Sequence, residues 1–197
     1  MGLAGGLWTV ATLGGAFEIV PASLAPVVTD AMGIDATAVS WLVSVMFAVA
    51  ITMSVPVGLL LNRVRTRTVV VLASALFVAG GVASWRAALA GAYWPLVGSR
   101  MVVGLAYVLV WNTGLTVLGR FENAATATSL YTASGPAGFA IGHLTGPLIA
   151  SALGWEATLL VYTVTVVPAA LLFVVSMDGD IDVSSATVPD LGEYRAL

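Results

Sequence analysis

Glu18, Arg100, Asn112 and His143 stand inside long apolar stretches of this chain, where a polar side chain is costly and usually has work to do. A carboxylate in such a place is pulled two ways: burial favours its neutral form, a nearby cation its ionised form. Glu18 is therefore a candidate proton carrier, and Arg100, at a depth differing by about one helical turn, is its candidate partner. A purely structural Glu–Arg pair is the alternative. Arg100 itself would cost ~2.5–3.5 kcal/mol at the centre of an apolar helix in lipid, so it should face the interior or a wet cavity. Snorkelling is its other option, because it lies only about 10 Å from the helix end at 1.5 Å per residue. His143 can titrate near neutral pH, though a neutral histidine hydrogen-bonded within the helix bundle is the expectation. Asn112 and Thr113 either line a polar path or bond their own helix backbone.

Other chemistries lack their residues. With no cysteine there is no disulfide, thiolate metal site or cysteine nucleophile, and a single histidine argues against a histidine-built metal centre. Ser134 and His143 sit nine residues apart on one helix and on different faces, so they do not make a nucleophile and base held on separate elements. The run Asp178, Asp180, Asp182 looks like a calcium loop, but the twelfth position from Asp178 is Pro189 rather than glutamate. No phosphate-binding loop is present. The sequence implies neither cofactor nor metal, no enzyme and no nucleic-acid partner.

The elements that hold these residues are membrane-length helices. The 197 residues are 59% hydrophobic and only 9% charged, against about 25% charged in soluble domains, and the mean hydropathy is +1.03. About 20 apolar residues cross a bilayer as a helix, which divides the chain into six expected spans at roughly 7–28, 38–61, 68–88, 93–118, 124–152 and 155–176. Residues 1–176 form this all-α transmembrane domain, and 177–197 form an acidic, solvated tail. The amino terminus has no basic region and too long an apolar segment for a signal peptide, so the first span should be retained. Asp30, Gly33, Asp35, Gly91, Phe121-Glu122-Asn123 and Gly154-Trp155 supply the turn chemistry. Trp85-Arg86 leaves the end of the third span open.

Arginines set the orientation, since the chain has no lysine. Arg63, Arg65 and Arg67 occupy the turn after the second span and Arg120 the turn after the fourth, whereas the opposite side offers Arg86. Those two turns, and with six spans both termini, should be cytoplasmic in a cell membrane. Trp8, Trp41, Trp85, Trp94 and Trp155 lie near span ends, as an interfacial aromatic belt requires.

Three motifs give the chain its resemblance. Gly58, Arg63 and Arg67 match in register the Gly-x-x-x-Asp-Arg-x-Gly-Arg-Arg turn of major facilitator superfamily transporters, with Asn62 at the family's aspartate and Arg65-Thr66 at its Gly-Arg. Arg100-x-x-x-Gly104 is similar to a pattern in the family's fourth span, with Val103 where a glutamine often stands. Gly142, Gly146 and Pro147 match a motif associated with the family's antiporters, with Ala150 and Ser151 replacing its glycines. Gly135, Gly138, Gly142 and Gly146 share one helix face suited to close packing, and a packing role and an antiport signal both fit them. Glu18 before Ser23-Leu24-Ala25-Pro26 loosely resembles a first-span acidic position of the drug antiporters.

The resemblance covers about residues 7–176 and implies the amino-terminal six-helix half, a 3+3 inverted repeat. It implies alternating-access transport of a small solute, with proton-coupled efflux or antiport as the expected form. Gly58, Asn62, Arg63 and Arg67 would serve a conformational gate, with Asn62 lacking the charge the family uses to latch its two halves. A substrate cavity lies between two halves in this family, so a truncated product, a homodimer or a second chain is implied. The glycine face of the fifth span is the expected self-association surface. A non-transporting scaffold or accessory subunit derived from such a half is the alternative.

Overall fold

Glycine, proline and one aspartate set most of the breaks in an otherwise helical chain. The computed structural model describes residues 3–61 and 63–175. Eight helices form among them: α1 Leu3–Ser23, α2 Ala25–Met32, α3 Ala36–Leu61, α4 Thr66–Leu89, α5 Tyr93–Leu118, α6 Ala124–Thr132, α7 Ser134–Leu153 and α8 Trp155–Val175. Asn62 and the tail at 177–197, both singled out in the sequence, lie outside the described residues.

The expected first span is broken. Pro21 lies inside α1, and the chain bends by 61° at Leu24 before Pro26 opens α2. Asp30 continues α2 rather than ending it; Gly33 ends it with a left-handed φ of 63°. Asp35 then caps α3, its carboxylate accepting the Ala38 amide at 2.7 Å. Arg86 falls in the last turn of α4, with Trp85 just before it. Beyond them Gly91, at φ 61°, allows Gly91 N to bond Ala88 O and Ala92 N to bond Ala87 O, a Schellman stop that satisfies the last carbonyls.

By length and apolarity, α3, α4 and α5 each qualify to cross a bilayer. Two bent pairs qualify jointly: α1 with α2, and residues 124–153 with α8, which turn by 120° at Gly154. Among the described residues, helix length and composition thus give three to five candidate spans, where the sequence leads one to expect six.

Side-chain meetings give the helix directions. Leu42, Met46 and Ser54 of α3 meet Arg100, Gly104 and Asn112 of α5, so these helices run parallel. Gly80 and Ser84 of α4 meet Val103 and Ser99, which makes α4 antiparallel to α5. Thr12, Ala16 and Ser23 of α1 meet Gly138, Gly142 and Gly146 of α7, again in parallel. The largest core cluster joins Phe17, Leu42, Met46, Phe77, Val103, Leu159 and Val166, from five helices. Within the most apolar part of each helix, 56% of α5 is buried against its neighbours and only 17% of α3, so α5 is the central post.

Candidate functional site

The site begins at a defect that the sequence builds into α1. A proline has no amide hydrogen, so Pro21 leaves the Phe17 carbonyl, four residues earlier, without its helical donor. Arg100 fills that vacancy. Its Nη1 donates to Phe17 O at 3.2 Å, its Nη2 to Glu18 O at 2.6 Å, and its Nε to Leu42 O at 3.0 Å on α3. The guanidinium also lies over the Phe17 ring, 4.8 Å from its centroid. Arg100 is 0% exposed, so it does not snorkel. Three charge-assisted bonds and an aromatic face compensate its desolvation.

The expected Glu–Arg pair takes a different form. Arg100 holds the main chain of Glu18 rather than its carboxylate, and no ion pair joins them among the described residues. Glu18 is 1% exposed, and its Oε2 has no hydrogen-bond partner. Arg100 thus stands beside the acid with all three of its donor nitrogens committed to carbonyls.

Among the described residues, Asn112 does not bond its own helix through its side chain. Its Nδ2 donates to Ser54 O at 3.1 Å, tying α5 to α3 rather than to its own backbone. Thr113 does bond its own helix, through Leu109 O at 2.6 Å. His143 is not inside the bundle. It is exposed, one residue round from Gly142 and beside the outward Leu144, and it makes no hydrogen bond among the described residues. The structure therefore gathers Glu18 and Arg100 and leaves His143 apart.

The glycine stripe has a neighbour within this chain. A Cβ on Gly138 would strike Thr12 O, and one on Gly142 would strike the Ile19 side chain and come within 2.7 Å of Ala16 O. One on Gly146 would lie 3.0 Å from Ser23 Oγ. Gly135, Gly138, Gly142 and Gly146 are all buried. The face expected to await a second half is occupied by α1 of the same chain. At Gly58 the opposite holds: no atom lies within 4 Å of where its Cβ would be, so no described helix uses the close approach that it allows. Arg63 and Arg67 are exposed, with Arg63 in the turn closed by its amide on Leu60 O.

Aromatic residues missed in the sequence complete the region. Tyr107 covers Gly14 of α1, 3.0 Å from where a Cβ would stand. It stacks on Trp111 at 5.8 Å, and Trp111 meets Tyr131 at 5.1 Å. Trp111 was the readable signal, as the one tryptophan away from the span ends and one turn from Tyr107. Tyr131, Trp8, Arg120 and Glu122 line a cleft of about 800 Å³ at the arginine-bearing end.

A search of curated proteins finds none that matches the chain. The sequence profile of the Major Facilitator Superfamily does match, over residues 7–189, nearly the whole length. That match, on an all-helical chain with a deeply buried arginine bound to a proline-broken first helix, places the chain in the Major Facilitator Superfamily, whose members are membrane transporters of small solutes rather than enzymes.

Proposed function

We propose that this chain is one six-span half of an alternating-access transporter that couples solute movement to protons, with Glu18 as the proton carrier. The observation that carries this reading is the buried Glu18 carboxylate, its Oε2 unpartnered while the adjacent Arg100 is spent on three backbone carbonyls. A carboxylate bonded directly to the arginine would be held as a permanent ion pair. One left beside it can lose and regain a proton as its surroundings change.

Six spans require α7 and α8 to be separate passes. The 120° turn at Gly154 supports this, as does the antiparallel course of α8 along α4, where Gly81 meets Thr163 while Val71 and Ser74, earlier in α4, share a groove with Ala170 and Leu171, later in α8. The contacts also suit a 3+3 inverted repeat. Exchanging α1 with α5, α3 with α7 and α4 with α8 converts the α1–α7 pair into α5–α3 and the α1–α8 pair into α5–α4, all of them substantial contacts. Arg63, Arg65, Arg67 and Arg120 then mark the cytoplasmic side of a cell membrane, with both termini there.

A second half, another copy or another chain, completes the cavity by covering the α3–α7 side. Phe47 and Phe139 meet at that side, at 6.5 Å, and it carries the exposed His143, which lipid tails would leave unsatisfied.

The test uses purified protein in liposomes holding a trapped pH-indicator dye, challenged with a panel of small solutes. Solute-evoked proton movement that disappears in Glu18→Gln, with expression intact, is the expected result. Solute movement that drives protons equally in Glu18→Gln would remove the acid from its role. A protein that moves no solute under any gradient would leave the scaffold reading in its place.

A further inference from the structure

Two buried hydroxyls stand apart from the other buried serines and threonines with described bonds. Ser84, Ser99, Thr113, Thr158 and Thr163 each donate to a carbonyl three or four residues earlier in their own helix or its cap. Thr12 Oγ1 and Ser134 Oγ, in residues 3% and 0% exposed, bond to nothing among the described residues. Both belong to the α1–α7 pair. Thr12 lies against Gly138, and Ser134 stands one turn before Gly138 on the same face of α7.

Their position relative to Glu18 and the cleft is ordered. Trp8 and Tyr131 line the cleft; Thr12 is one turn further along α1 and Ser134 three residues further along the chain. The Tyr107 hydroxyl comes next, 3.9 Å from where a Cβ on Gly135 would stand, beside Ser134, and it too has no hydrogen bond among the described residues. The Tyr107 ring crosses Gly14, and Glu18 follows Gly14 by one turn on the same face of α1. Helical side chains tilt toward the amino terminus, which sends the Glu18 carboxyl back toward that ring.

The geometry points to a proton path from the arginine-side cleft to Glu18 through water held by Thr12 and Ser134 and then the hydroxyl of Tyr107. Two buried, unpartnered hydroxyls on the packed α1–α7 interface, with the Tyr107 hydroxyl beyond Gly135, supply the two to four polar partners that a buried water needs. In each transfer toward Glu18, the water gives a proton to the Tyr107 oxygen as the Tyr107 hydroxyl proton passes to a second water, which protonates the carboxylate, since among the described residues no hydrogen bond joins Tyr107 to Glu18 directly. Tyr107 ends neutral, and the water is restored by a proton from the cleft. Release runs through the same bonds in reverse. The path rests on the reading of Glu18 as a proton carrier.

Hydrogen–deuterium exchange of the Glu18 carboxyl tests it without knowledge of the solute. Purified full-length protein in nanodiscs is moved into deuterated buffer, and the infrared carbonyl band that is lost in Glu18→Gln is followed in time. Tyr107→Phe keeps the ring over Gly14 and removes only the hydroxyl, and should slow exchange by at least about tenfold, as loss of a positioned proton-transfer group does. The paired change Thr12→Val with Ser134→Ala should slow it as well, and serves alone if Tyr107→Phe fails to fold. Exchange at the wild-type rate in the folded variants would overturn the path and leave Glu18 as carrier. A spectrum in which Glu18→Gln removes no carboxyl band at any pH would bring down both.

Discussion

Arg100 reaches past the carboxylate of Glu18 to donate to that same residue's backbone carbonyl, 2.6 Å away. The charge is therefore used to mend a helix, and the acid beside it stays available. The cause is Pro21, which strips Phe17 O of its helical donor.

That linkage predicts a double-mutant cycle. Arg100→Leu should destabilise the protein by about 3 kcal/mol, since it leaves buried carbonyls unsatisfied. Arg100→Lys should fall between, because a lysine cannot reproduce the planar fork. In a Pro21→Ala background the cost of Arg100→Leu should shrink, the restored amide at position 21 now bonding Phe17 O. Denaturant unfolding in one detergent measures all four corners, and additive costs would contradict the linkage.

Glycines of similar appearance should respond in opposite ways. Gly142→Ala drives a methyl toward Ala16 O and the Ile19 side chain and should cost about 1–3 kcal/mol. Gly58→Ala meets nothing within 4 Å and should be neutral or slightly stabilising, as alanine favours helix. Thermal unfolding of the two variants side by side distinguishes them.

Cross-linking tests the proposed partner half. His143→Cys should form disulfide-linked species in native membranes if a second copy covers the α3–α7 side. Gly138→Cys should not, because α1 fills that face. The reverse pattern would mean that α1 leaves α7 in the membrane.

Asn112 offers a smaller effect. Asn112→Ala removes the bond from α5 to Ser54 O and should lower stability by about 1 kcal/mol. Thr113→Val, which loses only a bond within α5, should cost less. Unfolding midpoints of the pair provide the check.

The turns were legible in the sequence because Gly33, Asp35, Gly91 and Gly154 act locally, through backbone freedom and capping. The need of Arg100 for partners was legible too, from the cost of a charge in an apolar helix. Its choice of partners was not, since every residue carries a carbonyl; the clue was the proline four residues after Phe17. His143 was misjudged because position along a helix says nothing of facing. Gly142, packed on α1, turns its neighbour outward. Thr12 and Ser134 gave no signal, as an orphan hydroxyl is defined only by what surrounds it.

The shared register of α3 and α5 has a mechanical meaning. Leu42, Met46 and Ser54 engage Arg100, Gly104 and Asn112 at a constant offset along both helices, so sliding one past the other would break every engagement at once. The two act as a single stiff strut. Against this strut, the broken ladder at Pro21 and the bend at Leu24 give α1 a compliant joint. Arg100 is the pin where strut and joint meet.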